Sequence, residues 1–282
     1  MKTTARKIGQ IIDPQAVVEG AGVRLKRSIG TRTLDYLDPF LLLDHFQSKN
    51  PADYQAGFPL HPHRGIETVT YLLTGAVRHK DSVGNAGEIG PGDLQWMTAG
   101  RGIMHEEMPQ VRPEGVAGFQ LWVNLPAKQK MIAPRYQNIH ANEIAAVARD
   151  GGATVRVIAG KVDGVAGPIS GIAAEPMYLD VSLAPHGSFS LPISRGHSAF
   201  AYVFEGEGKF SPEKRSIATP RLVVWDDGDS VEVSTEESAA RFLLVSGKPL
   251  NEPIARYGPF VMNTKAEIEQ TLRELQSGTF AQ

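Results

Sequence analysis

Two short pairings of histidine carry most of the chemistry this sequence offers. His61-Pro62-His63 opens a stretch rich in β-formers, and in extended chain residues two apart point to the same side. Forty-two positions after His63 comes Ile103-Met104-His105-Glu106-Glu107, where His105 and Glu107 repeat that spacing. If both stretches are strands of one barrel, three imidazoles and one carboxylate converge on its interior. Neutral nitrogens with a carboxylate oxygen suit Fe(II), Mn(II), Ni(II), Cu(II) or Zn(II). Glu67 lies four residues after His63 and has the same strand parity, which makes it a candidate fifth ligand or an acceptor behind the ligands. Pro62 fits a strand start or an edge, because it has no N–H to give to a ladder.

The remaining composition narrows that chemistry. No cysteine occurs among 282 residues, which removes disulfides, thiolate zinc sites, iron–sulfur clusters and cysteine nucleophiles together. Lysine and arginine total 29 against 31 acidic residues, a formal charge of -2, so there is no basic field for direct nucleic-acid binding. Apolar runs such as residues 40–43 fall far short of the ~20 residues that cross a bilayer. The first fifteen residues are basic but have no apolar core of an export signal. The expectation is a soluble protein of the cytoplasm. No complete G-x-G-x-x-G or G-x-S-x-G is present, and Gly206-Glu207-Gly208-Lys209 reads as a hairpin turn rather than a phosphate loop.

Strands must position these side chains. Phe119, Leu121, Val123 and Leu125 alternate with Gln120, Trp122 and Asn124, and residues 67–73, 154–159, 177–183, 199–204, 221–225 and 241–245 are short, β-branched and aromatic. With 29 Gly and 19 Pro between them, the pattern is that of an all-β sandwich or barrel. Length gives two domains or one large one at roughly 150 residues each. Thr264 and Glu267 form a capping box ahead of Ile268, Leu272 and Leu275, so a helix closes the sequence. Residues 142–149 read as a second, shorter helix with Gly151 just beyond it. A weak internal repeat runs through the chain, with Tyr71 to Gly75 and Gly92-Asp93 matched by Tyr202 to Gly206 and Gly228-Asp229. Anchored on Gly75 and Gly206, it sets Pro192, Ser194 and Ser198 opposite His61, His63 and Glu67. The second half then lacks ligand side chains, and His186 and His197 have no partners at ligand spacing.

Longer segments resemble a known family. Phe58-Pro59-Leu60-His61-Pro62-His63-Arg64-Gly65-Ile66-Glu67-Thr68-Val69-Thr70-Tyr71-Leu72-Leu73, and the run from Pro91-Gly92-Asp93 through Gly100-Arg101-Gly102 to His105, are similar to the pirin family of the cupin superfamily. Asp38-Pro39-Phe40-Leu41-Leu42-Leu43-Asp44, Leu121-Trp122-Val123-Asn124-Leu125 and Tyr257-Gly258-Pro259-Phe260-Val261-Met262-Asn263-Thr264 extend the resemblance over most of the chain. The general cupin pattern places its last histidine soon after the Pro-Gly turn; here a second glycine turn intervenes, a departure that pirins share.

The resemblance implies a bicupin: two tandem antiparallel β-barrels of jelly-roll type with a short C-terminal helix. A metal-binding cupin domain would span residues 1–135, and a metal-free one with the helix 136–282. It implies metal ligands at His61, His63, His105 and Glu107, iron as the typical metal, and Glu67 behind the ligands. It also implies a dioxygenase that opens a flavonol such as quercetin with O2, Glu107 acting as base. The alternative is a non-catalytic iron protein that regulates through a protein partner.

Overall fold

The computed structural model describes residues 4–281. The chain divides into two compact units. One comprises Gln15–Thr31, Phe40–Ala141 and Leu250–Gln282, and is called the N-terminal barrel below. The other comprises Met1–Pro14, Arg32–Pro39 and Asn142–Pro249, the C-terminal barrel. The domain cut expected at 135/136 is thus crossed at both ends of the chain. Ile8–Ile12 pairs with Arg221–Trp225 in the C-terminal barrel, taking the edge that Arg135–Ile139 takes beside Leu94–Thr98 in the N-terminal one. A free sheet edge recruits whichever strand reaches it, and here the two edges are closed by the first strand and by a central one.

Each barrel has one large sheet of the same order. In the N-terminal barrel the order is Arg135–Ile139, Leu94–Thr98, Ile66–Thr74, Val116–Asn124, Phe40–Ser48, Val23–Ile29 and Gln15–Glu19. In the C-terminal barrel it is Ile8–Ile12, Arg221–Trp225, Ser198–Phe210, Ala240–Gly247, Met177–Leu183, Ala153–Ala159 and Ala146–Arg149. A smaller layer completes the N-terminal barrel, with Phe58–His63, Ile103–Gln110, Ala76–Asp81 and Ala86–Ile89 paired in that order. The pairs are antiparallel, and the all-β tandem-barrel architecture expected from turn density is what forms.

Following the rungs refines the internal repeat. Ile66–Thr74 and Ser198–Phe210 are equivalent strands, Gly75 corresponding to Gly206, so Thr70 opposite Gln120 matches Ala201 opposite Leu244. Gly92-Asp93 precedes Leu94–Thr98, but Gly228-Asp229 precedes Ser230–Ser234, the counterpart of Ile103–Gln110. The two Gly-Asp turns are therefore not equivalent. Between Ile193 and Ser198 the chain has one more residue than between His63 and Glu67. That extra residue shifts parity, and the inward positions matching His61 and His63 are Leu191 and Ile193, not Pro192 and Ser194.

Two helices were expected, and one forms. Lys265–Ser277 is capped by Thr264, whose side chain accepts from Glu267 N while the Glu267 carboxylate accepts from Thr264 N, and Gly278 closes it in the left-handed region. It belongs to the N-terminal barrel, where Ile268 packs with Phe260, Met262 and Phe280. Residues 142–149 instead make the end of a short 3-10 turn, Ala141–Glu143, and then a strand, Ala146–Arg149, paired with Ala153–Ala159. Gly151 and Gly152, both at positive φ, turn a hairpin rather than cap a helix, and Val147 packs on the C-terminal core.

Candidate metal centre

His61 and His63 stand on Phe58–His63, and His105 on the neighbouring Ile103–Gln110, where it is the direct cross-strand partner of His61. Register thus does what spacing suggested for the imidazoles. One nitrogen from each of the three lies within 4.8 Å of the others. Nε2 of His61 is 3.1 Å from Nε2 of His63. The Nδ1 of His61 lies 2.9 Å from the Pro59 carbonyl, which can only accept. That nitrogen therefore carries a proton, and Nε2 is the nitrogen that faces the group.

Burial holds the other two rings neutral. His105 is pushed down to about 3 by desolvation, with His61 and His79 acting in the same direction. His63 falls well below the ordinary histidine value for the same reason, reinforced by His105 and His61. Both nitrogens of His105 are buried without a hydrogen-bond partner. Orphaned buried nitrogens cost free energy, and three imidazoles with nitrogens gathered at one point, two of them held neutral by burial, suit a divalent cation. The donor set fits the metal that the residues suggest.

The turn after His63 is held firmly. Gly65 has φ +77, and a side chain there would collide with the Val261 carbonyl. Lys130 is buried, and its Nζ donates to Gly65 O at 2.9 Å, Val261 O at 2.8 Å and Asn124 Oδ1 at 2.8 Å. Arg64 donates to Thr271 Oγ1 at 3.1 Å and Phe280 O at 3.0 Å and pairs with Glu274 at 2.7 Å. The C-terminal helix is thereby tied to the residue beside His63.

The two carboxylates do not join the imidazole group. Glu107 faces inward like His105, but its Oε1 is 2.9 Å from the Thr70 hydroxyl and its Oε2 accepts from Gln120 Nε2 at 3.0 Å. Glu67 lies on the opposite face of the large sheet from the cavity-lining Thr70. It accepts from Thr98 Oγ1 at 2.7 Å, and burial raises it to about 7. The parity argument fails for Glu67 because Arg64-Gly65 turns the chain into another sheet, so His63 and Glu67 do not share a strand.

His61, His63 and Glu107 open onto a cavity of about 550 Å³, within the usual range for a small-molecule site. Val23, Leu25, Leu42, Phe46, Tyr54 and Phe58 give it apolar walls. Trp122 stands edge-on to His63, ring centroids 5.1 Å apart, with the Arg256 guanidinium 5.1 Å from its own ring. Arg27 closes another side, donating to both oxygens of Asp44 at 2.7 Å and to Glu19 at 2.7 Å. Sequence reasoning missed Thr70, Gln120 and Trp122. The available signal was the alternation itself, which sets Gln120 and the large aromatic Trp122 together on the strand face opposite Phe119, Leu121 and Val123.

The other histidines contribute no nitrogen to this cluster, although His79 is the direct cross-strand partner of Glu107. His45 stacks on Phe119, His79 lies over Tyr136, and His140 sits 3.5 Å from Asp93. His186 is exposed beside Glu237, and the His197 carbonyl accepts from Arg6. Among the described residues no helix is long and apolar enough to cross a membrane.

Comparison with known proteins agrees with these features. The Pirin family model matches residues 22–123, and the model of the pirin C-terminal cupin domain matches residues 178–281. The chain is 45% identical over 276 residues to a pirin-like protein of Caulobacter vibrioides, covering 98% of this chain and 99% of that one. It is 43% identical over 263 residues to human pirin, covering 92% and 88%. A solved structure of quercetin 2,3-dioxygenase from Acinetobacter baumannii superposes with a TM-score of 0.88 at 35% identity, covering 98% and 99%.

Proposed function

The chain belongs to the pirin family, and from that premise we propose that it is a metal-dependent dioxygenase that opens a flavonol such as quercetin with O2. The observation that carries this reading is the convergence of three imidazole nitrogens at the wall of an apolar, aromatic-lined cavity. The structural likeness to a quercetin 2,3-dioxygenase supports it.

His61, His63 and His105 would hold the metal, with iron(II) our choice among divalent ions and Glu107 the fourth donor. When bound, the metal supplies a centre that polarises the ionised flavonol and engages O2. The chain's own residues prepare the substrate for it. The apolar walls take the planar rings and exclude water, with Trp122 part of the lining next to His63. Glu107 accepts the proton of the 3-hydroxyl at one carboxylate oxygen, while Gln120 keeps hold of the other.

The test is direct. Protein loaded with Fe(II) and mixed with quercetin in air should consume O2 and bleach the flavonol absorbance, and His61→Ala should do neither. Glu107→Gln should retain metal yet lose turnover. Full occupancy by Fe, Mn, Ni, Cu and Zn in turn without any bleaching would overturn the reading.

A further inference from the structure

Glu107 stands off the three imidazoles, and a closed ring of side chains keeps it there. Thr70 and Gln120 are direct cross-strand partners, and both line the cavity. Gln120 Nε2 donates to Glu107 Oε2 at 3.0 Å. The Thr70 hydroxyl lies 2.9 Å from Glu107 Oε1 and 2.6 Å from Gln120 Oε1. It has one proton for two acceptors, so it serves one at a time. When the proton turns to Gln120, Glu107 Oε1 is released from its donor while Oε2 stays held.

We propose that Thr70 and Gln120 are positioning residues that dock the Glu107 carboxylate away from the histidines, making it the exchangeable member of the donor set. The inference rests on the metal-centre reading above. A second observation supports it independently. In the C-terminal barrel the same rung holds Ala201 and Leu244, and the position of Glu107 is Val233, all three within the apolar core. The ladder therefore closes without the ring, which occurs only in the barrel that carries the imidazoles. Hydrogen bonds to a carboxylate compete with a cation for the same lone pairs. Removing them leaves the cation as the better partner for a buried charge.

The experiment uses the full chain and Co(II) alone as probe, read by titration calorimetry and by the d–d absorption, whose intensity falls as coordination number rises. Thr70→Val and Gln120→Leu should each tighten Co(II) binding about 10-fold, the scale of one lost hydrogen bond to a charged group. Both should weaken the d–d bands, and Thr70→Ser should behave as the native protein. In a Glu107→Gln background neither substitution should change affinity or spectrum. Unchanged binding in both variants, or an equal shift in the Glu107→Gln background, overturns the positioning role alone and leaves the metal centre standing. Failure of the native protein to bind Co(II) or any other divalent ion overturns both.

Discussion

Phe242 and Gly118 occupy the same rung in the two barrels, opposite Val203 and Leu72 respectively, and the cavity begins with that difference. In the C-terminal barrel Phe242 meets Phe189 and Phe210 with ring centroids 6.0 and 5.5 Å apart, and Trp225 packs on Phe210 at 6.2 Å. In the N-terminal barrel the matching residue has no side chain: a Cβ on Gly118 would come within 2.6 Å of the Tyr71 carbonyl and 2.8 Å of the Phe46 ring, and that ring forms part of the cavity wall in place of a packed aromatic cluster. The polar set follows the same division. His61, His63, His105 and Glu107 stand where the other barrel has Leu191, Ile193, Val231 and Val233. One backbone plan thus serves as a packed core or as a reaction vessel, and a handful of inward positions decides which.

Mutating the two interiors should break them in different ways. Phe242→Ala leaves a void among aromatic rings and should cost about 3–5 kcal/mol in chemical denaturation, with metal stoichiometry unchanged. Phe58→Ala, on a partly exposed cavity wall, should cost about 1 kcal/mol or less. Equal costs would mean that the N-terminal interior is packed as tightly as the other. His105→Ala reverses the pattern: stability should be kept or raised, because a buried orphan is removed, while metal affinity falls more than about 100-fold. Val231→Ala, its counterpart, should leave metal titration unaltered.

What could be read without coordinates follows the same line. Side-chain parity placed His61, His63 and His105 together because His61 and His63 share one strand and His105 pairs directly with His61, ahead of the register shift that falls between His105 and Glu107. It misplaced Glu67, since a positive-φ glycine two residues after His63 ends one strand and starts another. The capping box at Thr264 was local and legible, but the barrel its helix serves was not, because contacts such as Arg64 with Phe280 span more than two hundred residues. Ala146–Arg149 has helix-tolerant residues, and only its pairing with Ala153–Ala159 makes it a strand. Thr70 and Gln120 are ordinary residues in a strand; their role exists only across a ladder.

Acid should separate the barrels next. Six of the eight histidines belong to the N-terminal barrel, and among them His45 is buried and pushed down to about 4 by desolvation. Below pH 6.5 the unfolded chain protonates this ring, whereas the folded chain does not until pH 4. Stability is therefore lost as pH falls from 6.5 to about 4, on the order of 2–3 kcal/mol. Glu67, raised to about 7, acts in the opposite sense and regains stability as pH falls from 7 toward 4.5. Comparing urea unfolding of metal-free native protein and His45→Phe across that range isolates the histidine: the variant should have the shallower acid decline. Parallel curves would remove His45 from the account.

The smallest effect tests which barrel the end of the chain serves. Thr264→Ala removes the side-chain half of the capping box and should cost about 1 kcal/mol. The loss is local to Lys265–Ser277, yet that helix supplies Thr271 and Glu274 to Arg64, and the segment just beyond supplies the Phe280 carbonyl. A frayed helix therefore loosens the turn that aims His63. Hydrogen exchange should speed up in the helix and at residues 64–66 together, while the strands Met177–Leu183 and Ala240–Gly247 keep their protection. Faster exchange in those two strands instead would show that the helix stabilises the packed barrel, and the assignment of the C-terminal segment to the cavity-bearing one would fall.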